Sequence, residues 1–375
     1  MEIRHIREYL LREGNSFETL EQELGIKARV YPDQGVVSLN YNQIESPKTH
    51  PIVMECRSLI LYLDDYSVAS RKFTRFFNVN EAPDTLTNFQ FTRAHILEKV
   101  DGSLIGVWYN RFTDRWEIST RSMAFAEGEH QVGGSFREHI LSAFKLNSDE
   151  EFQEMCRDRL SKNWSYVFEW VSPMNRIVTV YDESMMVLTG AYHNTKDGWL
   201  MPDEFPRMAA MFPNTRPVRF FRYDIDFIEE LKDKANDLDG LQEGFVVWDP
   251  ISDTRQKVKS LKYMALHAMR GDTLIPSPKN LMKIVLSGEI SEVTTYFPEW
   301  SELLETQQKS LWTMLADAEE HYNYHKEVED QKQFALKVKD HPLSALMFMS
   351  RRHNTTIQHE FNSLDVNKQL RYFGM

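Results

Sequence analysis

Hydrophobic and polar residues follow two different patterns along this chain. Up to about residue 260, short β-branched and aromatic runs are broken by Gly, Pro, Asn and Asp, which is typical of a strand-rich mixed region. Further on the strand signals fade, and residues 301–339 are rich in Leu, Glu, Lys, Gln and Ala with apolar positions at helical spacing. The pattern predicts an α+β N-terminal domain, residues 1–264, followed by an all-helical C-terminal domain, residues 265–375.

Three segments of the N-terminal part carry clear strand signals. They are residues 166–181, with a break at Pro173, and residues 185–192 and 244–249, each an apolar run bounded by turn residues. Because the first two segments lie close together in the chain, we expect antiparallel pairing between them.

Length and composition narrow the possible classes of protein. A chain of 375 residues suggests two domains, and 42% hydrophobic residues are enough to form their cores. No apolar run approaches the ~20 residues that a membrane-spanning helix needs, and the N-terminus lacks a basic segment leading into an apolar one. We therefore expect a cytoplasmic protein without a membrane partner.

Charge and cysteine content argue against an indiscriminate polyanion-binding protein and against a four-cysteine zinc protein. The net charge of -12 argues against indiscriminate binding of polyanions, so any surface for nucleic acid must be local. Cys56 and Cys156 are too few for a four-thiolate zinc site, and we expect both to be buried thiols. Arg216, Arg219 and Arg222 could follow a nucleic-acid backbone, although a solvated face is the commoner role of such residues.

The candidate chemistry begins at residues 96–104, where Lys99 lies at a polar turn between two apolar runs. A hairpin with a solvated lysine and an ordinary Asp-Gly turn explains this segment equally well. Further along, Glu169 and Glu243 each place a carboxylate in or beside an apolar strand. Lys257 and Lys259 project from one face if their segment is extended, and paired cations of this kind suit a phosphate. Together these residues favour a phosphate-binding site.

Four short motifs resemble, in order and spacing, those of the covalent nucleotidyltransferases, the superfamily of polynucleotide ligases and mRNA capping enzymes. Lys99-Val100-Asp101-Gly102 is similar to the superfamily's nucleophile signature, Lys-x-Asp-Gly. The segments similar to its third, fourth and fifth motifs are Phe168-Glu169, Glu243-Gly244-Phe245-Val246 and Lys257-Val258-Lys259.

Within that superfamily the chain most resembles the bacteriophage RNA ligase 1 family, whose tRNA-repair members have a similar length and a helical C-terminal domain. The segments that carry this likeness are Glu55-Cys56-Arg57-Ser58-Leu59-Ile60 and Arg75-Phe76-Phe77-Asn78, which resemble Glu-Cys-Arg-Gly and Lys-Phe-Phe-Asn elements. Arg75 and Arg121 stand where that family is expected to have lysine. Both keep a positive charge, but a planar guanidinium contacts phosphate differently from an ammonium group.

The resemblance implies an ATP-grasp-like nucleotidyltransferase domain of antiparallel sheets and an ATP-dependent RNA ligase activity. Lys99 would attack the α-phosphate of ATP to form lysyl-AMP, the AMP would pass to an RNA 5′-phosphate, and a 3′-hydroxyl would displace it. Magnesium, or manganese in its place, would assist. The implied partner is RNA, in particular a tRNA broken in its anticodon loop and selected by the helical domain, and we expect a monomer.

Roles of individual residues follow from the same resemblance. Glu243 would bind the metal, Glu169 would contact the sugar of the nucleotide, and Phe77 would stack on the nucleotide or wall it in. The remaining residues of the implied nucleotide and phosphate site are Arg57, Arg75, Asp101, Gly102, Arg121, Lys257 and Lys259. Of these, Lys257 and Lys259 would contact the phosphate that is transferred, and the three arginines would bind other phosphates.

Other functions remain open from the sequence. A capping-type guanylyltransferase shares the lysine chemistry but uses GTP and usually carries a β-barrel where this chain predicts helices. A DNA ligase is disfavoured by the elements around Arg57 and Phe77 and by the helical C-terminal domain. A non-catalytic RNA-binding protein with a ligase-like fold would be expected to have lost Lys99 or Glu243, and both are present.

Overall fold

The computed structural model describes residues 3–86, 88–130, 133–175, 177–196, 198–238, 241–269 and 277–375. The chain divides into two compact units, Met1–His267 and Ala268–Met375. The boundary expected after residue 264 and the division after His267 both fall within one helix, Leu261–Met269.

In the described residues fifteen β-strands form three sheets, all in the first unit. Their bounds are β1 Ile26–Tyr31, β2 Val36–Tyr41, β3 Leu59–Tyr62, β4 Val68–Ser70, β5 Phe77–Asn78, β6 His95–Lys99, β7 Ser103–Asn110, β8 Arg115–Ser119, β9 Trp164–Val171, β10 Met185–His193, β11 Gly198–Trp199, β12 Thr215–Pro217, β13 Phe220–Phe221, β14 Gly244–Asp249 and β15 Thr254–Lys259.

The α-helices of the described residues are concentrated towards the C-terminus. Their bounds are α1 His5–Leu10, α2 Phe17–Leu24, α3 Pro51–Glu55, α4 Phe136–Ala143, α5 Asp149–Arg159, α6 Phe205–Ala209, α7 Leu231–Asn236, α8 Leu261–Met269, α9 Pro278–Ser287, α10 Ile290–Tyr296, α11 Ser301–His325, α12 Gln331–Val338, α13 Ser344–His353, α14 Ile357–Asn362 and α15 Val366–Arg371. Short 3₁₀ helices are Pro32–Gln34, Pro83–Thr85, Phe91–Arg93, Pro173–Asn175, Pro202–Glu204, Ile228–Glu230 and Pro298–Trp300.

The three sheets are largely antiparallel. The first has the strand order β1-β2-β3-β4, the second β11-β10-β9-β7-β8 with β12 parallel to β10, and the third β13-β6-β14-β15-β5 with β5 parallel to β15. The mixed α+β class with antiparallel sheets and a helical C-terminal region is confirmed.

The strand predictions hold with one correction. Strands β10 and β14 confirm the predictions for residues 185–192 and 244–249, and β10 pairs antiparallel with β9. The prediction for residues 166–181 is wrong beyond Val171, where β9 ends. Pro173 lacks a backbone N–H and begins a 3₁₀ turn, so the apolar residues after it do not continue the ladder. Arg176, within the predicted segment, lies outside the described residues.

The largest core cluster of the described residues packs α4 and α5 against the second sheet and extends to the third sheet. Phe168 and Leu188 on the second sheet belong to the same buried cluster as Leu97 and Trp248 on the third. Burying one such side chain stabilises the fold by roughly 1.5–3 kcal/mol. The opposite face of the third sheet is covered by the 3₁₀ turn Ile228–Glu230 and by α7, so this sheet is packed on both sides.

The second unit is built around α11, a helix of 25 residues. Buried side chains recur on one face of α11, among them Leu304, Leu311 and Leu315, and α9, α12, α13 and α14 pack against it. Helix α12 begins where the side chain of Asp330 accepts the backbone N–H of Gln333 at 2.7 Å. Throughout the described residues, no helix combines the length and the hydrophobicity needed to span a membrane.

Candidate functional site

The register of the third sheet brings Lys99, Glu243 and Lys259 together. Gly244, the first residue of β14, is paired with Lys99 of β6 on one side and with Lys259 of β15 on the other. Glu243 directly precedes Gly244, and its carboxylate therefore lies between the two lysines. Oε1 of Glu243 is 2.7 Å from Nζ of Lys99 and 3.0 Å from Nζ of Lys259. The carboxylate is buried, with 4% of its side chain exposed, so both contacts are shielded from solvent.

Two glycines allow the backbone to approach closely around this cluster. Gly244 has a φ of 137°, and a Cβ there would lie 2.0 Å from the carbonyl oxygen of Val258. A Cβ on Gly102, in the turn after Lys99, would lie 2.4 Å from the carbonyl oxygen of Trp170. Neither contact can be relieved by moving a flexible side chain, so both positions require glycine.

Asp101 fixes the turn that follows Lys99. Its buried carboxylate accepts the hydroxyl of Tyr263 at 2.8 Å and the backbone N–H groups of Val178 and Thr179 at 2.9 and 2.7 Å. These bonds join the turn to α8 and to the segment after β9. The structure thus places Asp101, which the sequence assigned to nucleotide binding, in hydrogen bonds within the protein.

Glu169 presents a second carboxylate beside Lys99. It lies on β9, is half-buried, and forms no salt bridge with any described residue. Burial raises its pKa to about 8; Lys99 opposes that rise, and the negative charge of Glu243 adds to it. Near neutral pH this carboxyl is largely protonated unless a further cation reaches it.

Lys257 and Lys259 project from the same face of β15, while Val258 between them is buried in the core on the opposite side. Nζ of Lys257 lies 5.6 Å from the ring centroid of Phe76. Phe76 lines the cavity described below, whereas Phe77, the aromatic residue chosen from the sequence, is buried in β5 with 4% exposure.

Three arginines converge on Tyr41. Nη1 of Arg75 donates to the phenolic oxygen at 2.6 Å, and the guanidinium carbons of Arg75 and Arg121 lie 5.2 and 6.0 Å from the ring centroid. Burial raises the pKa of Tyr41, but Arg75, Arg121 and Arg57 outweigh it and bring the value down to about 8. Such a concentration of positive charge is suited to an anion with several oxygens.

Lys72 lies behind these arginines and is fully buried, with 1% exposure. Its Nζ donates to Oγ of Ser119 at 2.8 Å and to the carbonyl oxygen of Thr120 at 3.0 Å. A Cβ on Gly106 would lie 2.7 Å from Cε of Lys72, so the glycine leaves room for the side chain. Burial, reinforced by Arg57, lowers the pKa of Lys72 to about 7.

A cavity opens between the second and third sheets beside the lysine cluster. Its wall is largely apolar, including Phe76, Leu104 and Trp248, and Lys99 and Glu169 are among its polar residues. An apolar pocket with a few charged groups is the usual form of a site for a planar ring that carries a charged substituent. A nucleotide is a ligand of this kind, because its base is planar and its phosphates are charged.

Sequence reasoning missed four residues around this site: Tyr41, Lys72, Phe76 and Tyr263. The only available signal for Phe76 was its place beside Phe77 in an aromatic pair. Lys72 follows another basic residue and reads as a solvated surface position. Tyr41 and Tyr263 reach the site only through the folding of distant segments.

The family model and two relatives that match this chain are all described as RNA ligases. A family model described as RNA ligase matches residues 55–264, which are more than half of the chain. A protein of Autographa californica nuclear polyhedrosis virus, described as a bifunctional polynucleotide kinase/RNA ligase, is 31% identical over 308 residues. The match covers 78% of this chain but only 42% of that relative, so the chain spans less than half of its length.

Two further matches cover a larger share of the matched protein. The RNA ligase of Rhodothermus phage RM378 is 23% identical over 352 residues, 78% of each protein. An archaeal ATP-dependent RNA ligase structure aligns with a TM-score of 0.47 and 14% identity over 80% of this chain and 82% of that one.

Proposed function

The chain belongs to the RNA ligase family, and from that premise we propose that it joins an RNA 3′-hydroxyl to an RNA 5′-phosphate in a reaction driven by ATP. The observation that carries the proposal is the buried cluster of Lys99, Glu243 and Lys259 beside an apolar cavity. The cluster combines the amine of Lys99, the carboxylate of Glu243 and the positive charge of Lys259. A nucleotide in the cavity would place its phosphates beside these groups.

In the first step the amine of Lys99 attacks the α-phosphorus of ATP. A phosphorus–nitrogen bond forms, the bond to the bridging oxygen breaks, and pyrophosphate leaves with its electron pair. The amine must first lose a proton. Lys259, held 3.0 Å from Oε1 of Glu243, and Lys257 neutralise charge that develops on the phosphate.

The proposed divalent cation fits the carboxylates of this site. Among the described residues, no group of three or more His, Cys, Asp or Glu side chains could hold a metal. Magnesium commonly uses only one or two protein carboxylates, with substrate phosphates and water as its other ligands. Glu243 and Glu169 are the candidates, and the raised pKa of Glu169 means that a cation would stabilise its ionised form. When bound, magnesium or manganese would neutralise phosphate charge.

The second and third steps need further phosphate contacts. The AMP moves from Lys99 to the 5′-phosphate of one RNA end, and the 3′-hydroxyl of the other end then displaces it and leaves a phosphodiester. We assign Arg57, Arg75 and Arg121 to phosphate binding, because they concentrate positive charge around Tyr41. The arginines at positions 75 and 121 offer two-pronged contacts where a lysine would offer a point charge.

The choice of RNA is assigned to the helical unit, Ala268–Met375, which follows every residue of the lysine cluster. A tRNA broken in its anticodon loop, bound by a monomeric enzyme, is the substrate that the family resemblance favours. Sealing assays that compare nicked tRNA, linear single strands and nicked duplexes test this choice.

Labelling with radioactive nucleotides tests the proposed chemistry. The protein is incubated with α-labelled ATP or GTP and magnesium and then separated by denaturing electrophoresis. Label from ATP alone supports the ligase. Label from GTP alone would indicate a capping-type guanylyltransferase, and the absence of label from either nucleotide would contradict the lysine chemistry.

A further inference from the structure

A short edge strand extends the sheet face that carries Lys99. Phe220 of β13 is paired directly with Leu97 of β6, so both side chains point to the same face. Leu97 lines the cavity, and Lys99 follows it by two residues on that face. With about 4.8 Å between strands and about 3.4 Å per residue, the Cα atoms of Phe220 and Lys99 are roughly 8 Å apart.

Phe220 is exposed although it is a large aromatic residue close to a buried site. Its relative exposure is 45%, and the guanidinium carbon of Arg222 lies 5.8 Å from its ring centroid. Arg219, the preceding residue, is also exposed. Phe220 and Arg222 therefore form a cation–π pair on the surface, and the ring of His95 lies edge-to-face with Phe220 at 6.4 Å between centroids.

Among the residues that the structure describes, no acidic side chain lies within salt-bridge distance of Arg219 or Arg222, although Asp224 follows closely in the chain. Arg216 differs, because its Nη1 and Nη2 atoms donate to the two carboxylate oxygens of Glu98 at 2.8 and 2.9 Å. The basic cluster seen in the sequence thus separates into one structural arginine and two that are available to a ligand.

Resting on the proposed RNA joining, we propose that Arg219, Phe220 and Arg222 form a binding surface for single-stranded RNA next to the end that is being joined. The ring of Phe220 stacks on a nucleobase, and the two guanidinium groups contact phosphates. Charge complementarity favours this occupant, because unneutralised arginines are exposed here on a chain of net charge -12. Continuity with the Lys99 face places the base within a short distance of the reacting phosphate.

The chain contains a matched control for this surface. Phe112 is similarly exposed, at 50%, and Arg111 lies over its ring at 5.5 Å. However, Arg111 is neutralised by Asp64 and Asp65, at 2.6 and 3.2 Å. The two pairs share the same chemistry and differ in net charge.

The experiment measures binding of a fluorescent single-stranded RNA with a 5′-phosphate, by anisotropy at several salt concentrations. Phe220→Leu should weaken binding about ten-fold, while Phe220→Trp should retain it, because only the latter keeps a stacking face. Arg219→Gln and Arg222→Gln should each reduce the slope of log affinity against log salt by about 0.7. Phe112→Leu should bind like the wild type.

Covalent labelling of the same preparations with ATP separates this inference from the proposed function. Variants that take up AMP normally but bind RNA weakly support the surface. RNA binding by Phe220→Leu that equals that of the wild type would overturn the inference, as would equal losses in Phe220→Leu and Phe112→Leu. A wild-type protein that takes up no AMP would refute the proposed function instead, whatever the RNA measurements show.

Discussion

Nζ of Lys99 lies 2.7 Å from Oε1 of Glu243, so the proposed nucleophile and the proposed metal ligand form one buried ion pair. The pair depends on sheet register rather than on proximity in sequence. It also means that a change at either residue alters the charge seen by the other.

Replacement of Glu243 by alanine should slow the formation of lysyl-AMP on the order of 100-fold, since the variant leaves two lysines without their shared carboxylate and removes the proposed metal ligand. The rate of AMP labelling across a magnesium titration measures this effect. Circular dichroism of the same protein shows whether the fold is retained. If a folded variant took up AMP at nearly the wild-type rate, Glu243 would have a structural role only and no role in the reaction.

For Lys99→Ala, we expect no covalent adduct with AMP. The variant should nevertheless seal an RNA whose 5′ end is already adenylylated, because the attacking group is then the RNA 3′-hydroxyl. Some loss of rate is expected from the missing cation. Gel assays of both reactions, with the wild type beside the variant, test the assignment. An AMP adduct on the variant would place the nucleophile elsewhere.

The pKa of Glu169 predicts a pH dependence of stability. Its pKa is raised from 4.5 to about 8 in the fold, so between these values the folded state holds a proton that the unfolded chain releases. The free energy of unfolding should therefore decrease as the pH rises through this range. In Glu169→Gln this contribution is absent.

Denaturant titrations of the metal-free wild type and Glu169→Gln between pH 5 and pH 8, within the range of about 4.5 to about 8 set by that pKa, provide the measurement. The difference in stability between the two proteins should change in favour of the variant as the pH rises. A constant difference would show that Glu169 ionises normally. Added magnesium should reduce the difference at the upper end, where it would stabilise the carboxylate.

Gly244→Ala should destabilise the protein by roughly 3 kcal/mol, because the new Cβ meets the backbone of β15 and φ is positive. Gly198→Ala is the control, since the nearest atom to a Cβ there is 4.0 Å away. Unfolding in urea compares the two variants. Equal stability of both would mean that β14 and β15 can separate without cost.

A fragment of residues 1–269 should accept AMP from ATP while losing RNA selectivity, because it keeps α8 and every residue of the lysine cluster. A shorter fragment, 1–264, cuts α8 one residue after Tyr263, whose hydroxyl bonds to Asp101, and should label more slowly. AMP labelling of both purified fragments tests this. A soluble, folded 1–269 fragment that takes up no AMP would contradict the assignment of adenylylation to the first unit.

Periodicity in the sequence predicted the parts of the fold that depend on local pattern. The helical C-terminal region and strands β10 and β14 follow from apolar spacing. Residues after Pro173 were wrongly assigned to a strand, because Pro173 lacks a backbone N–H and begins a 3₁₀ turn. Of the apolar residues that follow, Val178 is buried, whereas Met174 and Val180 are exposed. The i, i+2 spacing of Lys257 and Lys259 was also enough to place both on one face of β15.

The rest of the site depends on contacts between distant segments. Strand β5 has only two residues, so no alternation in the sequence distinguishes Phe76, which lines the cavity, from Phe77, which is buried. The hydroxyl of Tyr263 reaches Asp101 across 162 positions of the chain. Similarly, Tyr41 meets its arginines only because the fold brings three separate connecting segments, which carry Arg57, Arg75 and Arg121, next to the end of β2. Such pairings are set by tertiary structure and leave no local pattern.

Gly244 is paired with Lys99 on one side and with Lys259 on the other, so the proposed site forms only when the third sheet has its native register. If β14 slipped by one residue against β6, Phe245 would stand opposite Lys99 and every side chain of β14 would exchange faces. Glu243 would then no longer meet Lys99. A molecule with a mispaired sheet would therefore lack the proposed site for reaction with ATP.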